Sequence, residues 1–130
     1  MDGATSMILG IGTDLLDVAR MAKELEKEEA GFRNAVFTPS EIVYCEAKRY
    51  PARHFAARFA AKEALFKALA GLASGDFWHE VEVARTGDAA PRLLLHGRAK
   101  EAADRLGVKS ILVSLSHTDS LAAASVVLQG

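Results

Sequence analysis

At 130 residues, with 50% hydrophobic and 25% charged, the chain is long enough for one compact core and too short for two ordinary domains, so a single domain over residues 1–130 is expected. Its 16 basic and 17 acidic residues leave a formal charge of −1, which gives no global field for wrapping nucleic acid; attraction to an acidic partner must come from a local patch. The lone cysteine, Cys45, excludes an internal disulfide and fits a reduced, cytoplasmic setting, the opening MDGATS has no basic leader, and no apolar run approaches the ~20 residues that span a bilayer.

Residues 7–11 read as a buried strand. After it, Leu15, Val18, Met21, Ala22 and Leu25 recur at three- and four-residue spacing and predict an amphipathic helix. FTPSE opens another helix, with Thr38 as N-cap, Pro39 at the first helical position and Glu41 at capping-box spacing. That helix should end near Arg49, since Pro51 disfavours helical geometry at Tyr50.

The longest helical pattern, ARHFAARFAAKEALFKALAG, carries an apolar stripe of Phe55, Phe59, Phe66 and Leu69, with Gly71 available to end it. WHEVEVAR and PRLLLHG then read as a hairpin across TGDAAP, and a short helix over residues 98–106 stops at Gly107. SILVSLSH and LAAASVVL flank a turn at Thr118-Asp119-Ser120 and predict a second hairpin. The chain shows no repeats or linkers. Helices early and strands late, after the first strand, predict an α+β fold: a largely antiparallel sheet packed against helices, one of them long and central.

GIGTDL lacks the third glycine or alanine of a dinucleotide fingerprint, Leu15 standing there, and no Gly-Lys-Ser/Thr follows to make a P-loop. Asp14 is either an N-cap or half of a carboxylate pair. Glu63 is its candidate partner: one turn after Phe59 it leans toward the apolar face, although with Lys67 at i,i+4 it also fits an ordinary surface pair. Arg58, Lys62 and Lys67 surround Glu63 on the same helix and could jointly hold phosphates, or form a solvated face. In SLSHT, Ser116 and His117 are strand neighbours and point to opposite faces, which opposes a Ser-His dyad and leaves His117 as a ligand contact or core histidine. His54, His79, His96 and Cys45 show no zinc-type spacing, so any metal should be hard and oxygen-liganded. Arg20, Lys23 and Lys27 form a basic stripe at i, i+3 and i+7 that could receive an acidic protein, although Glu24, Glu26 and Glu28 beside it suit a solvated face as well.

Together, GIGTDLLDVARM, FTPSE, RFAAKEALFKAL and VSLSHTDSLAAASVV resemble the bacterial holo-acyl-carrier-protein synthases, the short type of 4′-phosphopantetheinyl transferase, in the family's order and over nearly the whole chain. The resemblance implies the family's α+β fold, a homotrimer with active sites at subunit interfaces, and transfer of phosphopantetheine from coenzyme A to a serine of an acyl carrier protein of fatty acid synthesis, releasing adenosine 3′,5′-bisphosphate. It implies Mg²⁺ held by Asp14 and Glu63; which group takes the serine proton is left open, with Glu63, or a water ordered by it or by the metal, the expected base, and Lys62 is expected to be catalytic beside it. Lys62 and Lys67 would match the family's lysines near the coenzyme A phosphates, with Arg58 of the same basic set beside them, His117 and Thr118 would contact its nucleotide part, and Arg20, with Lys23 and Lys27 beside it, the carrier protein. Two features depart from the family pattern: ALAGLASGDF replaces a Gly-Thr-Gly segment after the central helix, and GDAAP lacks a lysine usual in the hairpin turn. A non-catalytic coenzyme A-binding trimer would not require the carboxylate pair, and a metal-dependent phosphohydrolase would not require a basic docking helix.

Overall fold

The first strand organises the molecule. In the computed structural model, which describes residues 6–27, 31–69, 78–85 and 89–130, β1 (Ile8–Asp17) runs directly into α1 (Val18–Glu26). The strand is longer than residues 7–11 because period-two alternation continues past the glycines. Gly12 and Leu16 turn inward while Ile11, Thr13 and Leu15 face out, and pairing with the last strand persists to Asp17. Leu15 is therefore a strand residue and the helix starts three residues later than its spacing suggested. The N-cap is Asp17, without a side-chain capping bond, which removes the capping alternative for Asp14.

Next come α2 (Gly31–Val36), a short helix that the pattern did not predict, α3 (Pro39–Glu46) and α4 (Pro51–Ala68). α3 has the full capping box: Thr38 Oγ1 accepts from Glu41 N at 3.3 Å, and Glu41 Oε1 accepts from Thr38 N at 2.8 Å. It ends at Glu46, short of Arg49, and Pro51 opens α4 as its first residue, where a missing N–H costs nothing. A single 3-10 turn (Trp78–Glu80) then precedes β2 (Val81–Ala84), so Trp78 and His79 stand outside the predicted strand. β3 (Arg92–Leu95), α5 (Gly97–Leu106), β4 (Ser110–His117) and β5 (Leu121–Gln129) complete the chain. Gly107 closes α5 at φ 88°, a left-handed cap that glycine adopts without strain. The segment after α4 carrying Gly71 and the first half of the TGDAAP turn, residues 86–88, lie outside the described residues.

The strands form two antiparallel pieces: a three-stranded sheet in the order β1-β5-β4 and a two-stranded β2-β3 hairpin. α4 covers the inner face of the larger sheet, where Ala122, Ala124, Val126 and Leu128 of β5 are buried. Along α4, Ala56, Ala57, Ala60, Ala61, Ala64 and Ala68 are buried as well, giving the helix a low surface on which a strand can lie close. Gly10 and Gly12 exploit this: a Cβ on Gly12 would fall 1.8 Å from the Ala64 carbonyl oxygen, and one on Gly10 2.2 Å from that of Ala68. The GIG sequence thus answers to helix–strand approach. Phe55, Phe66 and Leu69 of the predicted stripe are buried, and Phe59 stacks on Trp78 with ring centroids 5.0 Å apart.

The outer face of the sheet is different. Ile11, Leu15, Leu112 and Leu121 are exposed on it, around a Thr13–Ser125 hydroxyl contact of 3.0 Å. Among the described residues no helix is long and apolar enough to cross a membrane.

Candidate active site

Where α4 crosses β1, two of the predicted site residues meet, and a third lies one helical turn away on α4. Asp14 shares the inward face of β1 with Gly12, two residues before it, and Gly12 lies against Ala64 and Ala68. Lys67 spans the crossing: its Nζ donates to Asp14 Oδ1 at 2.9 Å and to the Thr13 carbonyl oxygen at 3.0 Å. Asp14 is only 16% exposed, whereas Lys67 is 55% exposed. Glu63 stands one helical turn before Lys67, on the same side of α4, half-buried and with Oε1 shielded from solvent.

This set has the chemistry of a small hard cation beside a phosphate. Carboxylate oxygens suit Mg²⁺, which keeps several waters and needs only one or two protein carboxylates when substrate phosphates complete its shell. No cluster of three or more His, Cys, Asp or Glu side chains able to hold a metal occurs among the described residues. Asp14 and Glu63 are carboxylates of the kind that could hold such an ion, with the exposed Lys67 ammonium beside Asp14.

A second group lies at the other end of α4. His117, opposite Ala122 in the β4–β5 ladder, faces inward, and its ring centroid lies 5.1 Å from that of His54. Ser116 consequently faces out, as strand alternation requires, and no Ser-His dyad forms. Thr118 shapes the turn: its Oγ1 accepts from Ser120 N at 3.2 Å and Leu121 N at 3.1 Å. Arg53 ties α4 to that turn through Asp119 at 3.2 Å and stacks its guanidinium 4.0 Å over the Tyr50 ring. Burial, helped by His117 and then Arg58, pushes the His54 imidazole down from 6.5 to about 4.

This group holds residues that sequence reasoning missed: Lys48, Arg49, Arg53 and His54. The signal was present in KRYPARH, a basic run at the boundary between two helices. Nine residues of helix, about 14 Å of rise, separate His54 from Glu63. The two groups thus occupy separate places on one subunit.

Lys62 and Arg58 do not flank Glu63 as expected. Lys62 is fully buried and its Nζ meets three acceptors, Glu41 Oε1 at 2.7 Å, Val36 O at 2.7 Å and Trp78 O at 3.0 Å. An ammonium has three protons, so none remains for a phosphate, and Lys62 is corrected from a catalytic, phosphate-contacting residue to an interior one. Burial pushes its pKa down, against the opposing pull of Glu41. Arg58 is buried too, 4.1 Å under the Tyr44 ring, with Nη1 donating to the His54 carbonyl at 3.4 Å. It lines a cavity of about 170 Å³ with Ser40, Tyr44, Glu82 and Arg85. Although burial favours a raised Tyr44 pKa, the charges of Arg58 and Lys48 outweigh it and hold the phenol below its ordinary value.

On α1, Arg20 and Lys23 are exposed, while Lys27 lies just past the helix end and pairs with Glu24 at 2.9 Å. A groove of about 440 Å³ between β3, α5 and β4, lined by Leu93, Leu95, Lys100, Val108 and Ile111 among others, contains none of the predicted site residues. Volume alone gives it no chemistry.

Residues 10–126 match the sequence profile of the 4′-phosphopantetheinyl transferase superfamily. The chain belongs to that superfamily. It is 42% identical over 124 residues to a holo-[acyl-carrier-protein] synthase of Koribacter versatilis, covering 95% of this chain and 99% of that one. Among solved structures, the Neisseria meningitidis holo-[acyl-carrier-protein] synthase superposes with a TM-score of 0.83 at 27% identity, covering 95% of this chain and 100% of that one. The Helicobacter pylori holo-[acyl-carrier-protein] synthase in complex with coenzyme A gives a TM-score of 0.76 at 32% identity, over 91% of this chain and 98% of that one. Within the superfamily the chain sits among the holo-[acyl-carrier-protein] synthases, and the expected α+β transferase fold is the one observed.

Proposed function

We propose that this enzyme transfers 4′-phosphopantetheine from coenzyme A to a serine of an apo acyl carrier protein, with Mg²⁺ held by Asp14 and Glu63. The observation that carries the reading is the β1–α4 crossing, where Lys67 meets Asp14 at 2.9 Å with Glu63 one turn away. The serine oxygen bonds to the phosphorus that carries pantetheine. The bond from that phosphorus to the bridging oxygen breaks, adenosine 3′,5′-bisphosphate departs with that oxygen, and the serine proton is lost.

Such a reaction is limited by charge and positioning rather than by the need for a covalent nucleophile. Bound Mg²⁺ supplies charge neutralisation at the diphosphate. Lys67, exposed and one bond from Asp14, is placed to hold a phosphate oxygen, and Glu63 is the proposed acceptor of the serine proton, directly or through a water. His117, Thr118 and the cavity beside Arg58 are proposed to receive the nucleotide half of coenzyme A, a molecule that the Helicobacter relative binds. Arg20 and Lys23, with Lys27 beside them, would steer the acidic carrier.

A homotrimer is proposed from the family resemblance; the outer sheet face, with Ile11, Leu15, Leu112 and Leu121 exposed together, offers an apolar patch of the kind that marks an interface. The buried Cys45 thiol, pushed up to about 12 by burial, is unreactive and compatible with the proposed cytoplasmic setting and role in fatty acid synthesis.

Coenzyme A consumption, measured with and without apo carrier protein, tests the reading. Consumption that requires both the carrier and Mg²⁺ is the result expected; consumption without carrier would identify a hydrolase, and none under either condition a coenzyme-binding protein.

A further inference from the structure

Lys62 and Glu41 form a buried junction that the transfer chemistry does not use. Both side chains are 0% exposed. Glu41 Oε1 accepts from Thr38 N at 2.8 Å and lies 2.7 Å from Lys62 Nζ, and Oε2 accepts from Val83 N at 2.7 Å. With the Lys62 bonds to the carbonyls of Val36 and Trp78, the junction ties together the end of α2, the cap of α3, the middle of α4, the 3-10 turn and β2.

The placement matters because α4 meets β1 through alanines, Ala64 and Ala68 lying against Gly12 and Gly10. Helices fix their rotation and axial position by setting side-chain ridges into grooves, and Ala60, Ala61, Ala64 and Ala68 offer little relief for that purpose. A hydrophobic pair of similar volume can offset the loss of a buried charge pair, but it cannot replace the bonds to four separate backbone partners, the Val36 and Trp78 carbonyls and the Thr38 and Val83 N–H groups, and those directed bonds specify an orientation that packing on alanine does not. Lys62 immediately precedes Glu63, so whatever fixes Lys62 fixes the direction in which Glu63 leaves the helix, and Lys67 one turn on.

We propose that Glu41 and Lys62 are positioning residues, a buried lock that sets the rotation of α4 so that Glu63 and Lys67 face Asp14. This rests on the proposed transferase reading of the Asp14–Glu63–Lys67 group.

The test compares wild type, Glu41→Gln and the double variant Glu41→Leu/Lys62→Met by thermal unfolding, by calorimetric titration with Mn²⁺ without coenzyme A, and by kcat and KM with an apo carrier protein. The double variant leaves the Thr38 and Val83 N–H groups and the Val36 and Trp78 carbonyls without these partners, so it should unfold at a lower temperature than wild type, while its folded form should bind Mn²⁺ about 10- to 100-fold more weakly and lose kcat to a similar extent. Its KM for carrier should stay unchanged, because the docking helix α1 is not part of the junction. Should the double variant not fold, Glu41→Gln, which keeps the shape of the junction, carries the same expectation for its folded fraction. A folded variant with wild-type Mn²⁺ affinity and kcat would reduce the junction to a fold element and overturn the proposal. Wild type that neither binds Mn²⁺ nor transfers would instead overturn the transferase reading and the positioning role with it.

Discussion

Lys67 Nζ and Asp14 Oδ1 lie 2.9 Å apart although 53 residues separate them in the chain. The ammonium already bonds this carboxylate oxygen, so a divalent cation held by Asp14 would compete with it. Lys67→Met should therefore lower transfer about 100-fold or more, the cost of removing one preorganised contact to developing charge, while binding Mn²⁺ at least as tightly as wild type. Calorimetry alongside turnover checks this, and weaker Mn²⁺ binding in the variant would mean that Lys67 holds the carboxylate in shape instead of competing for it.

Gly12→Ala probes the crossing from the strand side. Its Cβ would fall 1.8 Å from the Ala64 carbonyl oxygen, a backbone atom that cannot turn aside, so β1 must move off α4. Overpacking of this kind costs about 1 to 3 kcal/mol, and because Asp14 is two residues further along the strand, turnover should fall as well. Urea unfolding with parallel assays reads both; unchanged stability would contradict the close approach.

These two residues also mark what the sequence makes legible. Asp14, Glu63 and Lys67 could be named from motif blocks, the start of β1 from its apolar run, and α4, which carries Glu63 and Lys67, from helical spacing. The reason for the glycines was hidden, since GIG looks the same whether it cradles a phosphate or admits a helix. Lys62 misled because local spacing puts it beside Glu63, whereas its acceptors come from Val36, Glu41 and Trp78, contacts that no helical periodicity records. The length of β1 was missed for a related reason: Leu15 satisfies both a period of two and a period of three to four, and pairing with β5 decides between them.

Acid should weaken the fold through His54. With the native pKa lowered from 6.5 to about 4, the unfolded chain binds more protons within that window. This contribution is fully present above about pH 6.5 and is lost as pH falls toward 4. His54→Gln should flatten the dependence of the unfolding temperature between those values; an unchanged slope would assign it to other groups.

Charge reversal on α1 should affect docking alone. Arg20→Glu is expected to raise KM for the carrier protein severalfold with kcat unchanged, and the difference from wild type should shrink as salt screens the field. An unaltered KM at low salt would move the carrier footprint away from α1.

The most direct test of the central claim is the mass of an apo acyl carrier protein after incubation with this enzyme, coenzyme A and Mg²⁺, beside Asp14→Ala and Glu63→Ala. The account predicts a gain of one phosphopantetheine arm with wild type, dependent on Mg²⁺ and absent with both variants. A carrier left at its apo mass by wild type, or modified equally by the variants, would contradict it.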